Sequence, residues 1–355
     1  MNTPAHPGPR RQPPHPHRHK PLRRALARLW PVTLAASLAG CALPPVPATV
    51  EHDPQRPTLT ANGYRFHAQV FGPAGAPVLI VLHGGPGMDH RYLLGLQALA
   101  DHWRVVFYDQ RSSGLSPRVP ADSITVESFI ADLDAIVDQV SPGRPVHLLG
   151  HSWGAMLAAA YTGTHPTKVD RLVLAEPGFL DGSQLDGMDL GGWPGWPVIR
   201  GFARAWIGQW FMDTRGDPYA RDDAFLLHVL PLTQGADELC DGRLPPLQAW
   251  RAGHPAFAAT LGRAMKDRAW ARSLDFRRGT EAFDGATLLL SGACNRSVSD
   301  ARRRDDLRSF RHGQWVVLPQ AGHFLFNDQP QASVALVRRF LASERATDKL
   351  AEARP

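Results

Sequence analysis

The fold of this chain is decided by one stretch of its sequence, Val146-His147-Leu148-Leu149-Gly150-His151-Ser152-Trp153-Gly154-Ala155. It has the pattern of a short buried strand that turns sharply into a helix of small residues. Gly150, Ser152 and Gly154 form the motif Gly-x-Ser-x-Gly, whose glycines leave room for a serine in a strained turn. The turn would present the Ser152 hydroxyl beside a helix N-terminus, which favours developing negative charge. We therefore expect Ser152 to be a nucleophile.

Apolar runs alternate with helical patterns on both sides of this stretch, which is typical of a mostly parallel α/β sheet. A helix is predicted between Thr125, its N-cap, and Val140, and a last helix over residues 331–343. The predicted strands are residues 64–71, 77–82, 103–108, 146–149, 171–175, 286–291 and 314–318.

The alternation stops between residues 179 and 283. This segment contains many Trp, Gly and Pro residues and several helical patterns, but no clear strand. An insertion of this size between two strands predicts a helical lid. The core would then comprise residues 58–178 and 284–345, followed by a tail over residues 346–355.

The first forty residues are predicted to be a targeting segment. They hold seven Arg or Lys and no Asp or Glu, then a short apolar run over residues 29–38, and end in Leu38-Ala39-Gly40-Cys41. This ending resembles a bacterial lipoprotein cleavage box. The resemblance implies removal of residues 1–40 and a lipid on Cys41 that holds the protein at a membrane of the cell envelope, facing the periplasm or the exterior. The alternative is an ordinary signal peptide with a chance cysteine.

Residues 41–57 contain several prolines and are expected to form a flexible tether. Without the first forty residues, the chain has 32 basic and 33 acidic residues, so its net charge of +6 comes from the targeting segment. We therefore expect no nucleic-acid partner. No metal-ligand spacing or phosphate loop is present in the sequence, and no cofactor or metal is expected. The oligomeric state is left open.

A glycine-rich loop, His83-Gly84-Gly85-Pro86-Gly87, follows the predicted strand over residues 77–82. Its glycines allow backbone N–H groups to approach a substrate oxygen closely. We expect an oxyanion hole that combines the N–H of Gly85 with that of Trp153. His83 and His151 are expected to be structural.

Three motifs follow one another in the chain: His83-Gly84-Gly85-Pro86-Gly87, Asp109-Gln110-Arg111-Ser112-Ser113-Gly114-Leu115-Ser116 and Gly150-His151-Ser152-Trp153-Gly154. Together they resemble the prolyl aminopeptidase (proline iminopeptidase) family of α/β-hydrolases, over about residues 58–345. The resemblance implies an α/β-hydrolase fold with a mostly parallel sheet and a helical lid inserted after the sixth strand. It also implies release of an N-terminal proline, or a related small residue, from a peptide through an acyl-enzyme.

The general base is expected after the last strand, where His323 lies at the position of the family's histidine. It would take the Ser152 proton during attack and return it to the leaving group. The family's acid usually follows the preceding strand, but Gly292-Ala293-Cys294-Asn295 carries an amide there. An Asp-to-Asn exchange in a serine triad costs about 10⁴ in turnover.

Two carboxylates could replace the missing acid. Glu176 directly follows the strand over residues 171–175, at the carboxyl edge where sites in open α/β sheets are built. Asp300 lies five residues beyond Asn295 and is also expected to cap a helix that begins near Ala301. We prefer Glu176, and a third possibility is another group or none.

With a lipid on Cys41, two cysteines remain. Cys240 and Cys294 are expected to form a disulfide in an oxidising compartment, and the alternative is two free buried thiols. The bridge would tie the lid to the loop that lacks the acid.

The substrate is expected to be a small peptide or an ester. Cleavage of an N-terminal proline needs a lid carboxylate to pair with the substrate's ammonium group, and the candidates are Asp237, Glu238 and Asp241. The alternatives are a carboxylesterase or lipase that uses the same machinery, and a catalytically silent binding protein of the envelope, which the amide at Asn295 would explain.

Overall fold

A computed structural model describes residues 42–187 and 195–343. The predicted signal peptide, the lipidation site Cys41 and the predicted tail lie outside these residues. In the described part, no helix combines the length and the hydropathy needed to cross a bilayer.

The strands of the described residues form one eight-stranded sheet in the order β1-β2-β4-β3-β5-β6-β7-β8. Strand β2 pairs antiparallel with β1 and β4, and every other pairing is parallel. The strands are β1 (Thr58–Ala61), β2 (Tyr64–Phe71), β3 (Val78–Leu82), β4 (Arg104–Tyr108), β5 (Val146–His151), β6 (Val169–Ala175), β7 (Ala286–Gly292) and β8 (His312–Leu318).

Helices cover both faces of the sheet, and this is why strand β3 is apolar at every position. Val78, Ile80 and Leu82 pack with α1 and α2, whereas Leu79 and Val81 face the 3₁₀ segment Arg91–Leu99 and α10. Parallel strands buried on both sides have such uninterrupted apolar runs. The helices are α1 (Val126–Val140), α2 (Trp153–Thr164), α3 (Trp196–Gly208), α4 (Ala220–Val229), α5 (His254–Ala259), α6 (Leu261–Lys266), α7 (Arg268–Arg272), α8 (Asp300–Leu307), α9 (Leu325–Asp328) and α10 (Pro330–Ala342).

The observed elements confirm the predicted fold class. All seven predicted strands are present with ends shifted by at most two residues, and helices α3 to α7 lie between β6 and β7. Thr125 caps α1 through a reciprocal pair of hydrogen bonds with Ser128. The sequence did not reveal β1, because four residues are too few for a periodic pattern to be recognised.

The N-terminal segment over residues 42–57 packs against the rest of the protein, so the prediction of a flexible tether was wrong. Leu43 and Val50 are buried. The Leu43 N–H donates to the Gly208 carbonyl at 3.1 Å, and the Val50 N–H donates to the Leu115 carbonyl at 2.9 Å. The prolines restrict the unfolded segment and thereby lower the entropy cost of docking, while the two apolar side chains gain by burial.

Candidate active site

The Ser152 turn has the strained backbone that its motif predicts. Ser152 has φ 56° and ψ −119°, and it is the N-cap of α2. Its N–H donates to the Ala175 carbonyl of β6 at 2.9 Å. A Cβ on Gly150 would lie 2.1 Å from the Gly154 carbonyl oxygen, and one on Gly154 would lie 2.2 Å from that of Leu82. Larger residues at either glycine would therefore displace the serine.

Gly85 and Trp153, the predicted oxyanion-hole residues, line the same cavity as Ser152. Gly85 has φ +120°, and a Cβ there would lie 2.6 Å from the Met88 nitrogen, so only glycine fits. Trp153 begins α2, where the first N–H groups have no partner within the helix. Its indole N–H donates to the Gln110 side-chain oxygen at 2.8 Å, which fixes the indole ring. The oxyanion hole formed by Gly85 and Trp153 remains a prediction.

One cavity of about 260 Å³ brings most of the predicted site residues together. Its wall includes Gly85, Ser152, Trp153, Glu238 and His323. Most of the remaining wall is apolar and comes from the core and from the region between β6 and β7, with Met156, Phe179, Leu185, Leu230, Leu247, Leu261, Trp270 and Leu274 among its residues.

His323 is held at the cavity wall by its backbone. Its N–H donates to the Glu238 carbonyl at 2.7 Å. Burial lowers the pKa of His323 to about 3, and the neighbouring His151 acts in the same direction. The ring is therefore neutral near pH 7. Within the described ranges, no hydrogen bond joins this ring to Ser152 or Glu176; such catalytic hydrogen bonds often tighten only when substrate binds.

His151 and Tyr92 connect the glycine-rich loop to His323. The Tyr92 hydroxyl accepts the Gly84 N–H at 2.8 Å and lies 2.7 Å from His151 Nδ1, so it donates to that nitrogen. His151 Nε2 then donates to the His323 carbonyl at 2.7 Å. Burial lowers the pKa of His151 to about 4, which keeps it in this neutral form. The pair was missed in the sequence because Tyr92 lies in a 3₁₀ segment that carries no motif.

Glu176 and Asn295 are bonded to each other. The Asn295 amide donates to one Glu176 carboxylate oxygen at 2.7 Å, and the Gly292 N–H donates to the other at 2.5 Å. Glu176 has φ 45° at the end of β6. Burial raises its pKa to about 7, although the bond from Gly292, the charge of Arg303 and the bond from Asn295 oppose this effect. Asn295 lines the cavity, so the carboxylate lies directly behind the wall.

The other candidate carboxylates, Asp300, Asp237 and Glu238, differ in whether they are exposed or line the cavity. Asp300 is the first residue of α8 and is exposed, and the helix is capped by Ser299, whose side chain accepts the Arg302 N–H. The prediction of Asp300 as the cap was therefore wrong, since the serine one position earlier has the extended backbone that a cap requires. Asp237 is exposed and pairs with Arg296 at 3.2 Å, whereas Glu238 is in the cavity.

A disulfide joins Cys240 to Cys294. It connects the region between β6 and β7 to the loop after β7. This loop carries Asn295, and Cys240 lies two residues after Glu238. The bridge therefore holds together two cavity-lining residues from distant parts of the sequence.

One cluster in the described residues has the composition of a metal site. The ligand atoms of His67, His90 and Asp109 lie within 4.8 Å of one another, and all three residues are buried. The two Nδ1 atoms hydrogen-bond separate Asp109 oxygens at 2.8 and 2.7 Å. The Leu115 and His90 N–H groups donate to the same carboxylate. These hydrogen bonds satisfy the carboxylate without an ion, so we interpret the cluster as support for the loop after β4.

A family model described as the alpha/beta hydrolase fold matches residues 77–330. This match covers more than half of the chain. The chain belongs to the α/β-hydrolase fold family.

Two curated relatives are proline iminopeptidases, which confirms the predicted resemblance. The one from Heyndrickxia coagulans is 46% identical over 123 residues, which are 34% of this chain and 42% of that protein. The one from Lactobacillus helveticus is 38% identical over 120 residues, 32% of this chain and 40% of that protein. The chain thus matches about two fifths of the length of these relatives.

A solved structure supports the same fold. The crystal structure of proline iminopeptidase from Mycobacterium smegmatis is 20% identical and has a TM-score of 0.55. The superposition covers 80% of this α/β-hydrolase and 97% of that chain.

Proposed function

We propose that this α/β-hydrolase is a serine hydrolase that releases an N-terminal proline, or a related small residue, from peptides. Ser152 attacks the carbonyl carbon, and His323 takes the serine proton and then gives it to the leaving amine. The oxyanion accepts the N–H groups of Gly85 and Trp153. Glu176 supplies the negative charge that stabilises the imidazolium. Water then attacks the acyl-enzyme and releases the first residue.

The observation that carries the aminopeptidase proposal is the carboxylate of Glu238 in the same cavity as Ser152 and His323. Burial raises the pKa of Glu238, and a backbone hydrogen bond from Gly235 opposes this effect. No cationic side chain of residues 42–187 and 195–343 forms an ion pair with Glu238. A substrate ammonium group would provide the missing positive charge, and the apolar wall would receive a proline ring.

The test compares two neighbouring carboxylates, with Ser152→Ala as the blank. We expect Glu238→Gln to lower kcat/KM on a prolyl anilide by about 10- to 100-fold, the range of a hydrogen bond to a charged group. Asp237→Asn is the matched control, and we expect no change because Asp237 is exposed and outside the cavity. Cleavage of a short-chain nitrophenyl ester should be equal in the two variants.

The same measurement separates the proposal from its alternatives. Ester cleavage without prolyl release in the wild type would identify a carboxylesterase, for which the largely apolar wall is suited. If neither substrate is cleaved faster than by Ser152→Ala, the silent binding protein is the correct interpretation.

A further inference from the structure

Helix α3 exposes a row of large apolar side chains, which we call the apolar stripe. Trp196 is 75% exposed, Trp206 58% and Trp210 56%. Residues spaced by three, four, seven or eleven positions lie on one side of a helix. The stripe consists of Trp196, Ile199, Trp206, Ile207 and the two residues that continue it, Trp210 and Phe211.

The side of α3 opposite the stripe packs against the rest of the protein, so the stripe faces solvent. Ala205 and Gly208 are buried on that side. A Cβ on Gly201 would lie 2.5 Å from a Leu232 methyl carbon, which shows how closely the two segments approach. The helix is thus fixed with its aromatic side outward. A contiguous exposed apolar patch of this kind marks an interaction surface.

The charged residues of α3, the helix that carries most of the stripe, are positive. Arg200 and Arg204 lie next to it on α3, and the helix contains no Asp or Glu. Arg221 from α4 stacks over the Trp210 ring at 5.3 Å. A helix with tryptophans on one side and arginines at the border is typical of segments that lie at the surface of an anionic membrane.

The N-terminal segment reaches the protein at this same helix. The Leu43 N–H donates to the carbonyl of Gly208, the last residue of α3. Leu43 also packs with Met212, which lies between Phe211 and the start of α4. Only Ala42 separates Leu43 from Cys41, so covalent geometry keeps their Cα atoms within about 7 Å. Any attachment of Cys41 to a membrane would therefore bring the end of the stripe to that membrane.

We propose that the apolar stripe is a membrane-docking surface that inserts its tryptophans among the headgroups of an anionic bilayer. The arginines contact lipid phosphates, and the indole rings occupy the boundary between headgroups and acyl chains, where tryptophan is enriched. A short segment connects the helix of the stripe to the cavity: Leu230 and Pro231 line the cavity, and the adjacent Leu232 packs on α3. Docking would therefore orient the cavity region relative to the bilayer.

The first experiment uses the full chain with Cys41→Ser, which removes the predicted lipidation site, and vesicles of phosphatidylglycerol and phosphatidylcholine with brominated acyl chains. Bromine quenches only tryptophans that enter the bilayer. We expect the quenching to fall by more than half in Trp206→Phe/Trp210→Phe, which keeps the apolar surface and removes two fluorophores. Trp103→Phe, a buried core residue, is the control and should leave the quenching unchanged.

The second experiment measures partitioning into the same vesicles by co-sedimentation. We expect Trp206→Ser/Trp210→Ser to weaken partitioning at least about tenfold. Arg200→Gln/Arg204→Gln should weaken it about tenfold on anionic vesicles and leave binding to pure phosphatidylcholine unchanged. Met265→Ser removes an exposed apolar residue of α6 and should have no effect.

Two results would overturn the proposal. Full quenching in Trp206→Phe/Trp210→Phe would mean that another segment, such as the apolar run over residues 29–38, enters the bilayer. A dimer that forms without vesicles and is lost in Trp206→Ser/Trp210→Ser would mean that the stripe binds a second copy of the chain.

Discussion

Two side chains that follow neighbouring strands, Glu176 and Asn295, are hydrogen-bonded to each other at the cavity wall. β6 and β7 are parallel partners, so the residues that follow them reach the same edge of the sheet. Asn295 occupies the position at which the family's acid is expected, and its amide donates to the carboxylate from β6. An aspartate at position 295 would place a second negative charge there. An amide at position 295 avoids this repulsion and donates a hydrogen bond to the Glu176 carboxylate.

We predict that Glu176→Gln lowers kcat by about 10³- to 10⁴-fold, because an uncharged partner no longer stabilises the imidazolium. Asn295→Asp alone should destabilise the protein, since two carboxylates would face each other across 2.7 Å. The double variant Glu176→Gln/Asn295→Asp restores one charge and one amide and should recover at least about tenfold over Glu176→Gln. Steady-state kinetics and thermal unfolding check these outcomes.

Asp300→Asn serves as the matched control for this series and should leave kcat unchanged. A full loss in Asp300→Asn, or full activity in Glu176→Gln, would refute Glu176 as the acid.

The pKa of Glu176 also predicts how stability depends on pH. The pKa is raised from its ordinary 4.5 to about 7 in the folded protein, so the folded state holds the proton more tightly than the unfolded state. This contribution to stability is complete below pH 4.5 and is lost as the pH rises through about 7. A shift of this size corresponds to about 3 kcal/mol. Glu176→Gln cannot lose a proton, so it does not undergo this loss. Between pH 4.5 and 8, its free energy of unfolding should therefore rise by about 3 kcal/mol relative to that of the wild type.

Urea unfolding at a series of pH values measures this difference. Parallel curves for the two proteins would show that the carboxylate does not titrate in this window.

At the scale of elements, the disulfide and the N-terminal segment both attach the region between β6 and β7 to the rest of the fold. Cys240 and Cys294 are separated by 54 positions. Leu43 contacts the same region through Met212, Ala220 and Ala224. The region between β6 and β7, which lines part of the cavity, is therefore attached to the rest of the fold at two places, by the disulfide and by the contacts of Leu43.

We predict that replacing both cysteines by Ala lowers the free energy of unfolding by about 4 kcal/mol, the chain-entropy value for a loop of this length. Because Glu238 lies two residues before Cys240, kcat/KM on the prolyl anilide should fall as well. Denaturant unfolding with and without a reducing agent provides the measurement, and the cysteine-free variant should not respond to reduction. An unchanged unfolding curve in the reduced wild type would contradict the prediction.

At the scale of the whole molecule, one buried carboxylate holds three parts of the chain together. Asp223 of α4 accepts hydrogen bonds from Arg118 and Arg251 at 2.7 Å. Arg118 follows the loop after β4, and Arg251 donates to the Pro47 carbonyl of the N-terminal segment. All three ionic side chains are almost fully buried.

We predict that Asp223→Ala destabilises the protein by about 3–5 kcal/mol, because two buried guanidinium groups would lose their shared partner. The neighbouring Asp222→Ala changes an exposed residue of the same helix and should stay within about 0.5 kcal/mol of the wild type. Thermal and urea unfolding of both variants check this difference. Equal stability of the two variants would show that the network contributes nothing.

Features that depend on short-range pattern could be predicted from the amino-acid sequence. Apolar runs located seven strands, and the runs of β3, β5, β6 and β7 are the clearest because both faces of these central parallel strands are buried. The motif around Ser152 required its turn, since larger residues at Gly150 or Gly154 would clash with nearby backbone. Thr125 identified the start of α1 through a local cap. These signals lie within a few residues of one another and need no knowledge of distant contacts.

Contacts between residues that are far apart in sequence became known only from the folded structure. The structure shows that Glu238 lines the cavity whereas Asp237 does not, and that Asn295 donates to Glu176. It also shows that the predicted tether is packed against the rest of the protein. Which of two adjacent carboxylates faces a cavity depends on how a whole region packs. Docking of a proline-rich segment depends on the surface it meets. Composition and periodicity carry no information on either, because the partners lie about 50 to 200 positions away.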